Sequence, residues 1–352
     1  MEHKASSRAA TPCRCAILAL LLGLAASIMG DAVPNGEARR LKAVFTDLDG
    51  TLVHFPAWFE QHGTRIVEND KKRAVVEAPN GEKRVCRVLP SSTMGPGMVS
   101  ERTVALVDEL RAEGVLFIAV TAARKSTLEE RQPLLPQCDA LVCETGSRIL
   151  VGGELDRAWA ASFEAVSGSL ESDLDPAQRP EPLWRFFREL GDIQGLKRDS
   201  RSYWGCFRVD TGSDEAVERE LRARIASSLP STVDWAMNLG KFDFFPALTG
   251  KGNAVAHLQR KFGLRPEECA CLFDDDNDLP MAMRCGYAQY LPGLTSDSVR
   301  RAAAEHPEWV VAKRAGEGVF AVEECLEALL DRARREKAES AGTAGAGARA
   351  VR

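Results

Sequence analysis

Two carboxylates with a single residue between them are the first feature of this sequence that could do chemistry. They lie in the segment Asp47-x-Asp49-Gly50-Thr51, directly after the apolar run 42–46. If that run is a strand, side chains two positions apart point the same way, so both carboxylates can face one crevice. Gly50 then lets the backbone turn. One carboxylate can attack phosphorus to give an acyl phosphate, and the other can protonate the leaving group. By itself, the segment also fits an acidic turn.

A second acidic segment runs from Asp274 to Asp278, includes Asn277, and follows the apolar run 270–273. So many acids at one strand end repel one another unless a cation lies among them. Carboxylate oxygens without a cysteine or histidine ligand favour Mg²⁺, which also binds phosphate. The alternative, a calcium-binding EF-hand loop, requires a glycine and a terminal glutamate at spacings that are missing here. This segment therefore predicts a Mg²⁺ site.

Two further residues could bind a phosphate group. Thr121 follows the apolar run 115–120, and a hydroxyl that precedes a helix N-terminus can donate to a phosphate oxygen. Lys251, between Gly250 and Gly252, could place its ammonium group among carboxylates and a phosphate and neutralise their charge. Each residue also has an ordinary interpretation, a helix cap for Thr121 and a surface turn for Lys251.

Strands and helices that alternate along the chain would position these segments. Four short apolar runs have the composition of strands buried on both faces, at 42–46, 115–120, 140–143 and 270–273. Helices with terminal glycines are predicted at 101–113, where Ser100 would be the N-cap, and at 253–262. Buried strands joined by helices predict an α/β fold with a Rossmann-like, mostly parallel sheet.

Two stretches depart from this alternation. Residues 52–97 contain an Asn-Gly dipeptide at 80–81, a strong hairpin signal, and we expect a β-hairpin flap beside the first strand. Residues 151–240 mix helix and strand candidates and predict an inserted α+β cap domain with its own core. The catalytic core would then comprise residues 39–150 and 241–333.

The two chain ends lie outside this predicted core. Residues 1–38 combine basic residues with the apolar run 15–30, which is shorter than the roughly 20 residues of a membrane span. This pattern predicts a targeting segment, signal-like or a presequence, that is cleaved, with an uncleaved membrane anchor as the alternative. It would direct the protein to an organelle (plastid-like) or the secretory route; otherwise the protein would be cytoplasmic. The tail 334–352 is rich in Ala, Gly and charge and is predicted to be disordered.

The composition excludes other classes of function. The net charge is −5, and no long basic run occurs, so neither nucleic acid nor a membrane is expected as a partner of the mature domain. The ten cysteines form no CxxC pair and the five histidines lack ligand spacing, so free buried thiols are expected and a zinc site is not. The expected partner is a small phosphorylated molecule, and the oligomeric state stays open.

The four segments, taken in order, resemble the four motifs of haloacid dehalogenase (HAD) superfamily hydrolases over about residues 41–330. The segments around Asp47 and Asp274 are the most specific. The inserted domain resembles the large α/β cap of the Cof-type and sucrose-phosphate-phosphatase-like subfamily, and the segment 242–246 before Lys251 is close to the sucrose-phosphatase style. The turn at 144–146 resembles the Glu-Asn-Gly turn that enters the cap, although Thr145 replaces the usual asparagine.

The resemblance implies a role for each motif residue. Asp47 would be the nucleophile, and Asp49 would protonate the leaving group and then activate water. Thr121 would hold a phosphoryl oxygen and Lys251 would bridge Asp47 and the phosphate. The implied metal ligands are Asp47, Asp49 through its backbone oxygen, Asp274 and Asp278. The implied phosphate contacts are Gly50, Thr121, Lys251 and Asn277, and the implied substrate contacts are Arg124, Glu144 and Asp243.

The expected function is a Mg²⁺-dependent hydrolysis of a small phosphomonoester, most simply a sugar phosphate, through an aspartyl-phosphate intermediate on Asp47. Asp49 favours a phosphatase over a dehalogenase, because cleavage of a carbon–halogen bond needs no leaving-group acid. Two alternatives remain open: a sugar phosphomutase, which shares all four motifs, and a non-catalytic binding protein on the same fold.

Overall fold

A computed structural model describes residues 39–92 and 94–349 of the chain. The predicted targeting segment 1–38, which contains Cys13 and Cys15, lies outside the described residues, as do residues 350–352. Within the described part, no helix is both long enough and apolar enough to cross a membrane. The described cysteines are free, and all of them except Cys138 are buried, as the sequence predicts.

The strands of the described residues follow one another along the chain. They are β1 (Ala43–Thr46), β2 (Arg65–Asn69), β3 (Arg73–Glu77), β4 (Lys83–Val88), β5 (Met98–Ser100), β6 (Leu116–Val120), β7 (Ala140–Cys143), β8 (Arg148–Val151), β9 (Glu154–Leu155), β10 (Lys197–Asp199), β11 (Phe207–Asp210), β12 (Val233–Asn238), β13 (Lys241–Pro246), β14 (Cys269–Leu272), β15 (Ala288–Leu291) and β16 (Val310–Val311). The α-helices are Pro56–Phe59, Glu101–Ala112, Lys125–Arg131, Arg157–Ala161, Glu164–Ser167, Pro182–Glu189, Glu215–Ser228, Lys251–Phe262, Leu279–Ala282, Asp297–Glu305 and Val319–Arg349.

The main sheet has eight strands in the order β16-β15-β14-β1-β6-β7-β8-β9. It is parallel from β16 to β7, and β8 and β9 continue it antiparallel. On β1, Val44 faces one apolar core with Leu106 and Leu326, and Phe45 faces the other with Leu258. Both faces of the sheet are therefore covered, which explains why its strands read as unbroken apolar runs. The predicted Rossmann-like α/β fold is confirmed.

A second sheet, antiparallel and in the order β10-β11-β13-β12, forms within the region predicted to be the cap. The helix Pro182–Glu189 packs on it and buries Trp184 and Phe186 against Phe207 and Phe244. This apolar cluster is separate from the two cores of the main sheet, as expected for a module with its own interior. The sheet extends to Pro246, beyond the boundary predicted at residue 240.

The segment after β1 forms a third sheet, β2-β3-β4-β5, which is larger than the predicted hairpin flap. The predicted hairpin is present, since β3 and β4 pair around the turn at 80–81 with Val75 opposite Val85. Two additional strands extend it: β5, whose Met98 packs with Val76 of β3 against Phe320, and β2, which pairs with β3 and is mostly exposed. Isolated two-stranded hairpins are marginal in water, and the contact with Phe320 supplies the missing burial.

The prediction of a disordered tail over 334–352 is wrong, because the helix Val319–Arg349 continues through most of it. Ion pairs to a neighbouring helix and its C-terminal end hold the first part of this segment. Arg334 pairs with Glu109 at 2.9 Å, and Lys337 pairs with Glu113 at 2.7 Å. Composition alone gave no sign of these tertiary partners.

Candidate active site

The polar segments singled out in the sequence converge at the carboxyl ends of three adjacent strands. Asp47 follows β1, Thr121 follows β6 and Asp274 follows β14. β1 lies between β14 and β6, so connections leave it toward opposite sides of the sheet. In open parallel sheets such a switch point leaves a crevice outside the strand ends. The strand order thus brings together residues that are far apart in the sequence.

Lys251 lies at the centre of this crevice, in the first turn of the helix Lys251–Phe262. Its Nζ donates to Asp47 Oδ1 at 2.5 Å and to Asp278 Oδ1 at 2.6 Å, and the residue is only 2% exposed. Burial alone would lower the pKa of Lys251, but the carboxylates of Asp278 and Asp47 outweigh burial and raise it. The ammonium group is therefore charged, and Lys251 is not a surface turn residue.

Three carboxylates form a cluster at this point, and two of them contact the ammonium group. Asp47, Asp274 and Asp278 are buried, and each offers an oxygen within 4.8 Å of the others. Burial raises the pKa of Asp47 to about 8 and also raises the pKa of Asp274, with further increases from the neighbouring acids. Asp274 Oδ1 accepts a hydrogen bond from Thr51 at 2.6 Å, but its buried Oδ2 has no partner among the described residues.

These observations fit a divalent cation. A cation would supply the missing partner of Asp274 Oδ2 and would keep the Asp47 carboxylate ionised at neutral pH. The donors are all hard carboxylate oxygens, which suit Mg²⁺. Asp49 does not belong to this carboxylate group, as expected if only its backbone oxygen faces the ion.

Gly50 makes room for the acidic cluster. Its φ is +109°, and a Cβ at this position would lie 2.2 Å from Asp274 Oδ2. Any other residue would therefore collide with the carboxylate that needs a cation. The glycine in the DxDGT segment serves both the turn and the close approach of Asp274.

Asp49 has a partner that the sequence did not reveal. Its Oδ1 accepts a hydrogen bond from Arg131 Nη1 at 2.7 Å, and the Arg131 guanidinium lies 6.0 Å from the ring centroid of Phe55. Arg131 is buried at the end of the helix Lys125–Arg131, where a charged residue ordinarily faces water. No spacing or motif marks this arginine, and only the folded chain brings it to Asp49.

Thr121 and Asn277 both line the cleft beside Asp47. The name catalytic edge is used below for these two residues together with Asp47, Lys251, Asp274 and Asp278. Thr121 Oγ1 accepts from the backbone N–H of Ala123 at 3.1 Å, so it also has the local turn role expected of a threonine at a strand end. Its O–H remains a donor that can turn toward a phosphoryl oxygen.

A cleft of about 260 Å³ opens in front of these residues. Most of the rest of the cleft lining, called the wall below, comes from three regions of the chain. These are the segment after β6 with the helix Lys125–Arg131 (Arg124, Thr127, Arg131), the cap (Arg201, Tyr203, Arg208, Asn238, Leu239) and the insertion (Ser91, Ser92, Met94). The insertion was expected to lie beside the first strand, and the structure brings it to the cleft itself.

The three predicted substrate residues have different positions. Arg124 lines the cleft, pairs with Asp199 at 2.7 Å and lies over the Tyr203 ring. Asp243 is fully buried and accepts two hydrogen bonds from Arg208, at 2.6 and 2.7 Å, so it orients a residue that lines the cleft.

Glu144 is also fully buried and does not line the cleft. Its carboxylate accepts from the backbone N–H groups of Trp204 and Gly205 and from Arg148 Nε. These bonds join the end of β7 to the cap sequence, so the structure gives Glu144 a role in holding the cap to the core.

Comparisons with known proteins agree with this geometry. Residues 100–289 match the protein family described as sucrose-6F-phosphate phosphohydrolase. The sucrose-phosphatase of Synechocystis sp. PCC6803, solved with sucrose and phosphate, has a similar structure, with a TM-score of 0.54 and 15% identity over 82% of this chain and 98% of that one. A HAD subclass IIB sugar phosphatase is similar with a TM-score of 0.50 and 16% identity over 81% of this chain and 98% of that one. No curated protein matches the sequence.

Proposed function

Since this chain belongs to the sucrose-6F-phosphate phosphohydrolase family, we propose that it is a Mg²⁺-dependent phosphatase that removes phosphate from a small sugar phosphate through a covalent intermediate on Asp47. The observation that supports this most directly is the contact of Lys251 Nζ with Asp47 and Asp278, beside the unpartnered oxygen of Asp274. Together these residues could supply a nucleophile, a charge-neutralising lysine and ligands for a cation.

In the first step, a carboxylate oxygen of Asp47 attacks phosphorus and forms a new P–O bond. The bond between phosphorus and the ester oxygen breaks, and its electron pair stays on the leaving oxygen. Asp49, held by Arg131 at the mouth of the cleft, donates a proton to that oxygen. The products are the free alcohol and a phosphoryl group on Asp47.

Asp49 lost its proton in the first step, so in the second step its carboxylate can act as a base. It removes a proton from a water molecule, whose oxygen attacks the phosphoryl group. The bond between Asp47 and phosphorus breaks, which releases inorganic phosphate and restores both carboxylates to their starting states.

Lys251 and Thr121 would act on the phosphoryl group throughout. The Lys251 ammonium neutralises charge on Asp47 and on the phosphoryl oxygens, and the Thr121 hydroxyl donates to one of these oxygens. Asp47, Asp274 and Asp278, with the backbone oxygen of Asp49, would hold Mg²⁺, which supplies further positive charge to the transferring group.

The test is phosphate release from p-nitrophenyl phosphate and a panel of sugar phosphates, with Mg²⁺ and with EDTA, for the native chain and Asp274→Asn. We expect release that EDTA abolishes and that the variant lacks. Mg²⁺ should also raise the Tm of the native chain by a few degrees and leave the Tm of the variant unchanged. Release that persists fully in EDTA, or no release from any compound, would contradict the proposal.

A further inference from the structure

The cleft wall opposite the catalytic edge is rich in guanidinium groups. Arg124, Arg131, Arg201 and Arg208 all line the cleft, together with the acidic residues Asp47, Asp49 and Asp275. A single phosphate on Asp47 would have Lys251 and the proposed Mg²⁺ as counter-charges. The arginines therefore exceed what one transferred phosphate needs.

Two of these arginines share one acid. Arg124 Nη2 and Arg201 Nε both donate to the carboxylate of Asp199, at 2.7 and 3.0 Å. Arg208, by contrast, pairs with Asp243, which also accepts a hydrogen bond from the neutral Asn238 side chain and from no second guanidinium among the described residues. Two guanidinium groups against one carboxylate leave a net positive charge at this part of the wall.

Arg131 is an independent sign of the same kind. It is 2% exposed, and its Nε and Nη2 have no hydrogen-bond partner in the part of the chain that the structure describes. Unpaired buried donors are costly. The guanidinium therefore gains free energy if it turns toward an acceptor that enters the cleft beside Asp49.

The chemistry of guanidinium limits what that acceptor can be. Arginine only donates hydrogen bonds, whereas a sugar hydroxyl both donates and accepts, and a carboxylate or phosphate only accepts. Planar guanidinium groups match such oxyanions with two parallel bonds. A wall with excess guanidinium charge thus suits an anionic group better than the hydroxyls of a neutral sugar.

We propose that the alcohol released by this phosphatase itself bears an anionic group, a carboxylate or a second phosphate, and that Arg131, with Arg124 and Arg201, selects it. This inference rests on the proposed phosphatase function and narrows its substrate class to phosphorylated sugar acids and sugar bisphosphates. Arg131 would then be a specificity-determining residue next to the general acid.

The test compares matched substrates on the full chain with Mg²⁺. 6-Phosphogluconate against glucose 6-phosphate tests a carboxylate, and fructose 1,6-bisphosphate against fructose 6-phosphate tests a phosphate. We expect kcat/KM to be about 10-fold or more higher for the anionic member of at least one pair. The preference should shrink at high salt, because exposed Arg201 contributes to it. Higher kcat/KM for the neutral member of both pairs would overturn the inference.

Arg131→Gln removes the contact with Asp49 for both substrates, so kcat/KM should fall for both, but it should fall about 10-fold further for the preferred anionic substrate, with the extra loss mainly in KM. Arg131→Lys should recover part of the loss. Arg111→Gln, which removes an arginine paired with Asp139 outside the cleft, is the matched control and should leave the preference unchanged. Equal losses on both members of the pair would mean that Arg131 only positions Asp49, and would overturn the inference.

Arg201→Gln provides a second test of the preference for anionic substrates if Arg131→Gln does not fold. Arg201 is exposed, so its loss should not affect folding, and we expect a smaller decrease of the same preference. No change of preference in this variant would contradict the inference. Activity on p-nitrophenyl phosphate separates the two proposals: its absence contradicts the phosphatase function, and its presence without a preference for anionic substrates contradicts the inference alone.

Discussion

The two sides of the cleft use charge in opposite ways. On the catalytic edge, Asp47, Asp274 and Asp278 each have a carboxylate oxygen within 4.8 Å of the others, and the ammonium group of Lys251 contacts Asp47 and Asp278. On the opposite wall, buried charges have dedicated partners, as in the bidentate pair of Arg208 with Asp243. The edge therefore has excess negative charge, and the wall is close to balanced except around Arg131 and Asp199.

This difference indicates which side is built for chemistry and which for shape. Like charges that are buried together destabilise a fold, and they persist where a ligand or a reaction needs them. A matched buried pair adds little net stability, but the loss of either partner is costly. Substitutions on the edge should therefore lower activity without lowering stability, whereas substitutions that break a buried charge pair of the wall should lower stability.

The largest effect is expected for Asp47→Asn. An amide is a poor nucleophile, so phosphate release should fall by about 10⁴-fold or more, equivalent to about 5 kcal/mol. The pKa of Asp47 is about 8 in the folded chain, above its ordinary value of 3.8. The free energy of unfolding therefore decreases as the pH rises from about 4 to 8, because the unfolded chain loses this proton more readily than the folded chain. At pH 7 without divalent cations, the variant should therefore unfold at the same temperature as the native chain or higher.

Asp139→Asn is the matched control for that experiment. Asp139 precedes β7 and accepts hydrogen bonds from Arg111 and from the backbone N–H of Phe117. Its loss should lower the Tm and leave phosphate release unchanged, the reverse of the result for Asp47. A lower Tm for Asp47→Asn would contradict the view that the edge stores unfavourable charge.

The sequence predicted the edge better than the wall, and the reason is physical. Asp47, Thr121 and Asp274 each follow a short apolar run, and parallel strands bring their carboxyl ends to one side of a sheet. Local pattern and topology together are then sufficient. The contact of Arg131 with Asp49 depends on where the helix Lys125–Arg131 lies relative to the segment after β1, and no local pattern encodes it.

The insertion and the C-terminal helix show the same limit. The Asn-Gly turn at 80–81 predicted the β3–β4 pair, but it did not predict β5, whose Met98 packs against Phe320 of the C-terminal helix, or the mostly exposed β2. Likewise, the segment after residue 333 was predicted to be disordered from its glycines and charged residues, although its alanines favour a helix. Glu109 and Glu113, distant in sequence, supply the partners that hold its first part.

The wall is tested most directly by Asp243→Asn. The variant leaves the Arg208 guanidinium partly buried without a carboxylate, which should cost about 3 kcal/mol in the free energy of unfolding, measured with urea. The double variant Asp243→Asn with Arg208→Met should recover most of that loss, because neither charge is then left unpaired. Glu218→Gln, which breaks the exposed pair with Arg222 in the same cap, should have a much smaller effect. Equal losses of unfolding free energy for the buried and the exposed pair would contradict the view that buried charge pairs in the wall are specifically important for stability.

His54 provides a smaller effect that depends on pH. This residue is buried in the segment between β1 and β2, and its Nε2 has no partner among the described residues. Burial lowers the pKa of His54 to about 3. The unfolded chain binds a proton near pH 6.5 and the folded chain does not, so stability is full above that pH and falls as the pH decreases toward 3.

Between pH 6.5 and 5, the native chain should therefore lose about 2 kcal/mol more stability than His54→Leu. His306→Gln is the control, since His306 pairs with Glu308 at the surface and its removal should leave the loss unchanged. The measurement is urea unfolding at each pH. Parallel pH profiles for the native chain and His54→Leu would show that His54 gains a partner in solution.

The smallest effect is expected far from the cleft, in the ion pairs of the C-terminal helix. Arg334 and Lys337 are about half exposed where they meet Glu109 and Glu113. Water and salt screen such pairs, so the double variant Arg334→Gln with Lys337→Gln should lower the Tm by less than about 2 °C at low salt and leave phosphate release unchanged.

In about 1 M salt, where the screening length is only a few ångströms, the native chain and this double variant should unfold at the same temperature. A difference that persists in salt would mean that the hydrocarbon stems of Arg334 and Lys337 stabilise the helix by packing. In that case charge would matter to stability only where it is buried, at the edge and in the wall. A difference that salt removes would extend the electrostatic account to the surface, where the same kind of pair acts with much less effect.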